Sequence, residues 1–198
     1  PRFDDEQGSG IDFLWMHRDM LSIVNAMLST ASDASWPKVQ GWKPIPWSPT
    51  SGDDWPLPGL PDPEPFQTDA RSPGRVAAMR TAAENRFEND VYLRTVSVDQ
   101  LGRNIEGGIH GWMHLRWSAS VPTDLFGLDV SNDWLAHPWS SHVNSVFWKL
   151  HGWIDERIAQ WEQANNAVDD FSTGWAGPSG HHLMHTRSDA TELKSRKQ

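Results

Sequence analysis

The sequence predicts an all-α protein: four helices packed as a bundle and wrapped by one long irregular loop. Three observations carry that prediction. Four segments place apolar residues three and four positions apart, the spacing of a helix that buries one face. Between the first and second lies a stretch holding nine of the chain's 14 prolines, a density that forbids helix or sheet interior. The chain has 198 residues, enough for one ordinary domain with a real core, and no internal repeat divides it.

The first helix is expected over residues 11–28, with Phe13, Leu14, Met20, Leu21, Val24 and Met27 on its apolar face. A second, over 75–93, follows Ser72-Pro73-Gly74, a fitting start signal, and sets Val76, Met79, Ala83 and Phe87 on one side. Ser97 is placed to N-cap a third helix over 98–117. That helix contains Gly107-Gly108, each glycine costing roughly 1 kcal/mol of helix stability. Close approach of another backbone is one reason to keep such a pair. The fourth helix is expected over 141–163, with Val143, Val146, Phe147, Leu150, Ile154, Ile158 and Trp161 as its buried stripe.

Residues 31–72 read as the loop. Its tryptophans Trp36, Trp42, Trp47 and Trp55 favour a segment pinned to the bundle surface over a disordered linker. Residues 169–198 are rich in Gly, Ser and His and read as an irregular tail.

A formal net charge of −9 argues against a nucleic-acid surface, since the basic tail ELKSRKQ is the one basic cluster and is short. No apolar run approaches the roughly 20 residues that span a bilayer, so no membrane partner is expected. No signal-peptide pattern is present, and a chain beginning at Pro1 reads as a processed or trimmed piece of a longer product. Cytoplasm and export both stay open. With no cysteine, disulfides, thiolate metal sites and cysteine catalysis are excluded, and any metal must take imidazole and oxygen ligands.

Four of the nine histidines fall on inward helix faces. His17 shares its face with Phe13, Met20 and Val24. His110 and His114 form an H-x-x-x-H pair, one helical turn apart. His151 shares a face with Phe147 and Ile154. A single inward histidine is more often a hydrogen-bonded core residue than a ligand. Four of them in one small core would cost several kcal/mol of desolvation without partners, and a shared metal ion removes that cost. All-imidazole coordination suits copper, zinc or iron. Asp155, a turn beyond His151, has two readings: acceptor for a ligating histidine's second ring N–H, or a post paired with Arg18, Arg116 or Arg157.

The segment FWKLHGWIDERIAQW resembles the copper-B helix of tyrosinases, catechol oxidases and hemocyanins. On that resemblance His151 matches the third copper-B ligand, Asp155 the aspartate after it and Phe147 the phenylalanine before it. IHGWMH is similar to the helix supplying the first two copper-B ligands, which makes His110 and His114 their matches. DFLWMHRDML is similar to the copper-A signature, with His17 as the match for its last ligand. The resemblance implies one tyrosinase-like copper-binding domain over 1–198. It implies a copper oxidoreductase that uses dioxygen on phenols or o-diphenols, small aromatic substrates. His110, His114 and His151 would hold one copper and His17 would belong to the other.

The pattern has departures. Copper A takes two further histidines upstream of His17. The nearer position is Gly8 here, and residues 1–16 hold no histidine. Another segment or chain would have to supply those ligands; two copper ions bind if they are supplied, and one if not. Gly111 stands where an asparagine often follows the first copper-B histidine, and Asn144-Ser145 where the family has Asp-Pro. These changes bear on hydroxylation of phenols more than on copper-B binding. Glu106, one turn before His110, is the nearby carboxylate able to act as catalytic base, with a solvated or capping role as the alternative. His142 is a candidate for the second shell, as is Phe147. His137 reads as a surface loop residue. His181, His182 and His185 either complete the copper-A half or form a flexible terminal cluster. Two other functions remain: a mononuclear copper or zinc protein using His110, His114 and His151, and a non-catalytic copper- or dioxygen-binding protein.

Overall fold

In the computed structural model, the described residues are 2, 6–31, 33, 35–48, 55, 57–60, 63–118, 135, 141–168, 171 and 174–176. Among them the secondary structure is helical, with no strand, so the all-α class is as the sequence predicts. Helix α1 runs Ser9–Ala31. Helices α2 (Pro65–Arg71) and α3 (Pro73–Ala82) follow, and α3 runs on into a π-turn over Ala83–Phe87. Helix α4 is the short Asp90–Leu93. Helices α5 (Val98–Asn104) and α6 (Gly111–Trp117) are joined without a break by a second π-turn, Ile105–His110. Helix α7 runs Ser145–Asn165.

Local chemistry sets these boundaries. Ser97 caps α5, its hydroxyl accepting from the Gln100 amide at 3.1 Å. Glu64 and Gln67 form a capping box at α2, so a helix stands inside the stretch 31–72 that the prolines suggested was wholly loop. Helix α7 starts four residues later than its apolar pattern suggested. Asn144 is its cap, accepting from the Val146 amide at 2.8 Å, and Ser141–Val143 form a 3₁₀ turn ahead of it. Val143 therefore lies outside the buried stripe and is exposed. Asn166, at φ 49°, closes α7 in the left-handed conformation that asparagine tolerates.

The core forms where α1, α5–α6 and α7 meet. Leu14 and Leu21 come from α1, Leu101, Ile105, Ile109 and Met113 from α5–α6, and Leu150, Ile154 and Ile158 from α7. Each such side chain fully buried stabilises the fold by roughly 1.5–3 kcal/mol. Helix α3 buries none of its own residues, and its run reaches the core through Ala83 and Phe87, the latter edge-on to Trp153. The end of α1 projects past the core, leaving Met27 exposed against the expectation from its spacing.

Two glycine pairs let backbones touch. A Cβ at Gly102 would run into the backbone of Gly10, where α1 crosses α5, and a Cβ at Gly152 would stand 2.5 Å from the Gly41 nitrogen, where the loop crosses α7. Gly107 and Gly108 are different. No described residue lies within 4 Å of where either Cβ would stand, so close backbone approach does not explain that pair.

The described part of the proline-rich segment lies against the helices. The buried guanidinium of Arg116 donates to the carbonyls of Pro46 (2.6 Å) and Trp47 (2.7 Å). Arg71 donates to Pro58 (2.7 Å), and the Trp117 indole N–H to the carbonyl of Trp55 (3.1 Å). Trp42 packs on Trp117 at 4.7 Å, and its amide donates to Lys149 of α7. Buried arginines satisfy carbonyls that proline-rich backbone cannot pair within itself.

Candidate metal centre

Three helices bring four imidazoles to one place. His17 on α1 and His151 on α7 are buried, and His110 and His114 on α5–α6 are half-buried. The rings of His17 and His151 are stacked, 4.7 Å apart and tilted by 10°. His110 lies 5.2 Å from His17 and 5.4 Å from His151, edge-on to both. His114 lies 4.7 Å from His110 and 5.3 Å from His151. One ligand nitrogen from each of His17, His110 and His151 falls within 4.8 Å of the others.

Hydrogen bonds fix which nitrogen each ring presents. Nδ1 of His17 meets the Phe13 carbonyl at 2.6 Å, Nδ1 of His151 meets the Phe147 carbonyl at 2.6 Å, and Nδ1 of His114 meets the Leu135 carbonyl at 2.7 Å. A carbonyl can only accept, so each Nδ1 carries the hydrogen and each neutral ring keeps a bare lone pair on Nε2. Carbonyls here do what second-shell carboxylates do for many ligating histidines: they hold ring and tautomer in place.

Burial keeps the rings neutral. It pushes His17 down to about 4 from 6.5, and pushes His110 and His151 well below 6.5, with neighbouring imidazoles as the next cause for those two. His114 is lowered as well, by the same burial. At neutral pH all four are therefore neutral imidazoles, the form in which a histidine binds a metal ion.

The Nε2 atoms of His110 and His114 are 3.1 Å apart. The His114 Nε2 is bare, so in the metal-free ring pair His110 donates from its own Nε2. Two imidazoles on one ion at about 2.0–2.1 Å per bond also stand on the order of 3 Å apart. The donor set thus fits a metal ion: bare nitrogens, neutral rings, short separations and a dry setting. Among the described residues, the group with nitrogens close enough to share an ion is His17, His110 and His151.

Several expected roles fall differently. Asp155 takes the second of its two readings, the arginine-paired post, and bonds to no histidine among the described residues. Its carboxylate takes the Arg18 Nε–H at 2.7 Å, and Arg18 also reaches Glu162 at 3.1 Å, so this network ties α1 to α7 beside the site. The carbonyls of Phe13, Phe147 and Leu135 hold the position a carboxylate was expected to fill. Phe147 does wall the site, its ring 3.9 Å from His151 and 6.0 Å from His114. His142 is exposed in the turn before α7, and among the described residues its ring meets none of the four imidazoles. Glu106 is half-buried on the π-turn, one turn before His110. His17 groups with His110 and His151 rather than apart from them. At Gly8, φ is +94° and Arg2's guanidinium occupies the place of a side chain, so no ligand comes from there. His137, His181, His182 and His185 lie outside the described residues.

Phe13 also walls the cluster, a contact the sequence reading did not single out. Its ring packs on His17 at 4.2 Å, as Phe147 does on His151. The shared F-x-x-x-H spacing of DFLWMH and VFWKLH was the available signal.

No protein-family model matches the chain, and no curated protein sequence matches it.

Proposed function

We propose that the four imidazoles hold copper and that the protein is a copper oxidoreductase acting with dioxygen on phenols or o-diphenols. One observation carries this reading: three helices bring one ring nitrogen each of His17, His110 and His151 within 4.8 Å of one another, and carbonyls hold His17 and His151 as Nδ1–H tautomers with Nε2 bare. Imidazole ligands suit several first-row metals, and among the divalent ones copper has the highest intrinsic affinity. When bound, copper supplies one-electron chemistry with dioxygen. The chain's own residues do the rest. The carbonyls hold the ligands, Phe13 and Phe147 exclude water, and Glu106, on the turn that ends at His110, is the candidate base for a phenolic proton. The similarity of three segments to type-3 copper helices, in the same order, supports the same class.

A second reading follows from where His17 stands. Its grouping with His110 and His151 favours a single copper or zinc ion held by histidines from all three helices. Metal counting separates the two. Purified protein is loaded with copper, freed of excess, and its metal measured per chain by mass spectrometry. Catechol oxidation is then followed with and without copper. Two ions per chain and copper-dependent oxidation support the first reading. One ion with oxidation supports the mononuclear enzyme, and one ion without oxidation a binding protein. No retained metal overturns all three.

A further inference from the structure

We infer that Gly10 and Gly102 are positioning residues of the imidazole cluster: their crossing, with the π-turn supplying the register, sets His17 against His110. This rests on the proposed reading of the cluster as a metal site. At the crossing the backbones of α1 and α5 touch. A Cβ on Gly102 would fall on the carbonyl of Gly10, and a Cβ on Gly10 on the carbonyl of Asp99. The Gly10 amide donates to the Asp99 carboxylate at 3.0 Å, and Arg103 pairs with the same carboxylate at 3.2 Å, so the contact is pinned as well as close. A side chain at either glycine would hold the two helices apart.

Helical geometry carries that contact to the site. Two turns of α-helix take about seven residues. His17 follows Gly10 by seven, so both lie on one face of α1. His110 follows Gly102 by eight, and in an unbroken α-helix it would point about 80° away from the Gly102 face. The π-turn at Ile105–His110 absorbs the extra residue, because its wider turn rotates less per residue. Each histidine thus stands two turns beyond the crossing on the side that faces the other helix, and their rings meet at 5.2 Å. The Phe13 ring, edge-on to His110 at 5.0 Å, packs in the same interface. Since the helices run in the same direction from a fixed contact, their separation at Gly10 and Gly102 governs how closely the two ligand nitrogens can approach.

The test compares Gly102→Ala with Leu93→Ala, which empties a fully buried position on α4, a helix that bears no ligand. Zinc affinity is read by competition with a chelating dye at a temperature where each variant is folded, alongside thermal unfolding. Both substitutions should lower Tm. Gly102→Ala is expected to bind zinc about tenfold more weakly, and Leu93→Ala as tightly as the unaltered protein. In a His17→Ala background the effect of Gly102→Ala should shrink below about threefold, because the contact set by the crossing is already gone. Unchanged zinc affinity in Gly102→Ala overturns the inference. So does a tenfold loss that persists in full without His17, or an equal loss in Leu93→Ala. If Gly102→Ala does not fold, the unaltered protein decides: zinc should slow amide hydrogen exchange at the starts of α1 and α5 more than in α3, and unchanged exchange there overturns the inference. An unaltered protein that retains no zinc overturns the proposed metal site instead.

Discussion

Helix α1 reads Phe13-Leu14-Trp15-Met16-His17 and helix α7 reads Phe147-Trp148-Lys149-Leu150-His151. In both, the phenylalanine carbonyl takes the histidine's Nδ1–H at 2.6 Å and the phenylalanine ring packs on the imidazole. Local chemistry has thus made the same device twice, and the two rings stack face to face. Their surroundings differ. His151 has both His110 and His114 around it, while His17 meets His110. An F-x-x-x-H turn orients an imidazole; a neighbouring H-x-x-x-H helix is needed to complete a set of ligands. Helix α7 has that neighbour to itself, and α1 borrows it.

The largest expected effect comes from breaking the twins one at a time. His151→Ala should abolish metal retention, because it removes the ligand that His110 and His114 both face. His17→Ala should leave one ion bound on the remaining three histidines, with lowered affinity. Metal per chain, measured after dialysis, checks both. Equal and complete loss in the two variants would make the twins equivalent ligands of a single ion. Unchanged metal in His151→Ala would defeat every metal reading given above.

Acid should expose the depth of the α1 twin in the metal-free protein. His17 has a folded value of about 4 against an ordinary 6.5, so the unfolded chain binds a proton more readily than the folded one across that interval. Stability is then complete above about pH 6.5 and is lost as pH falls toward about 4, by on the order of 3 kcal/mol for His17 alone. Urea unfolding at pH 7 and pH 5 should differ by about 2 kcal/mol from this group, and the difference should shrink in His17→Phe. A flat profile in the unaltered protein would mean that His17 is not buried as described.

What the sequence made legible follows from periodicity. Burying one helix face fixes which residues turn inward, so His17, His110, His114 and His151 could be placed together before any packing was known. Ser97 was legible for a similar reason, since its capping role depends on residues three positions away. Effects of tertiary packing were not. The π-turn at Ile105–His110 leaves the apolar pattern nearly unchanged, yet it shifts the turn that carries His110. The glycine pair inside it suggested close backbone approach, which occurs instead at Gly102 and Gly152, where nothing in the local pattern marks a crossing. The Leu135 carbonyl that holds His114 comes from 21 residues further along the chain and leaves no mark in composition. Asp155 was read either as a histidine's acceptor or as a post paired with an arginine, and packing decided for Arg18, one of the three arginines named.

A smaller effect should separate packing from ligation. Phe13→Leu and Phe147→Leu each keep the backbone carbonyl that orients the histidine and remove the ring beside it. Each is expected to cost about 1 kcal/mol of stability, with metal retained. Thermal unfolding alongside metal analysis measures the two terms. Loss of metal in Phe147→Leu alone would show that the ring, and not the carbonyl, holds the α7 imidazole.

The smallest effect should come from the polar tie between the twins. Arg18 and Asp155 are 27% and 38% exposed, so solvent screens much of their attraction. Glu162 holds Arg18 even when Asp155 is changed. Asp155→Asn is therefore expected to cost less than about 1 kcal/mol and to leave metal affinity unchanged. An aspartate that steadied a ligating histidine would behave otherwise, since its removal weakens metal binding by about tenfold to a hundredfold. A competition titration of metal against a chelator distinguishes the two outcomes. A tenfold loss in Asp155→Asn would return the carboxylate to the site and make α7 the helix with its own acidic support. An unchanged affinity leaves α1 and α7 alike in how they orient their histidines, and different only in the neighbours they face.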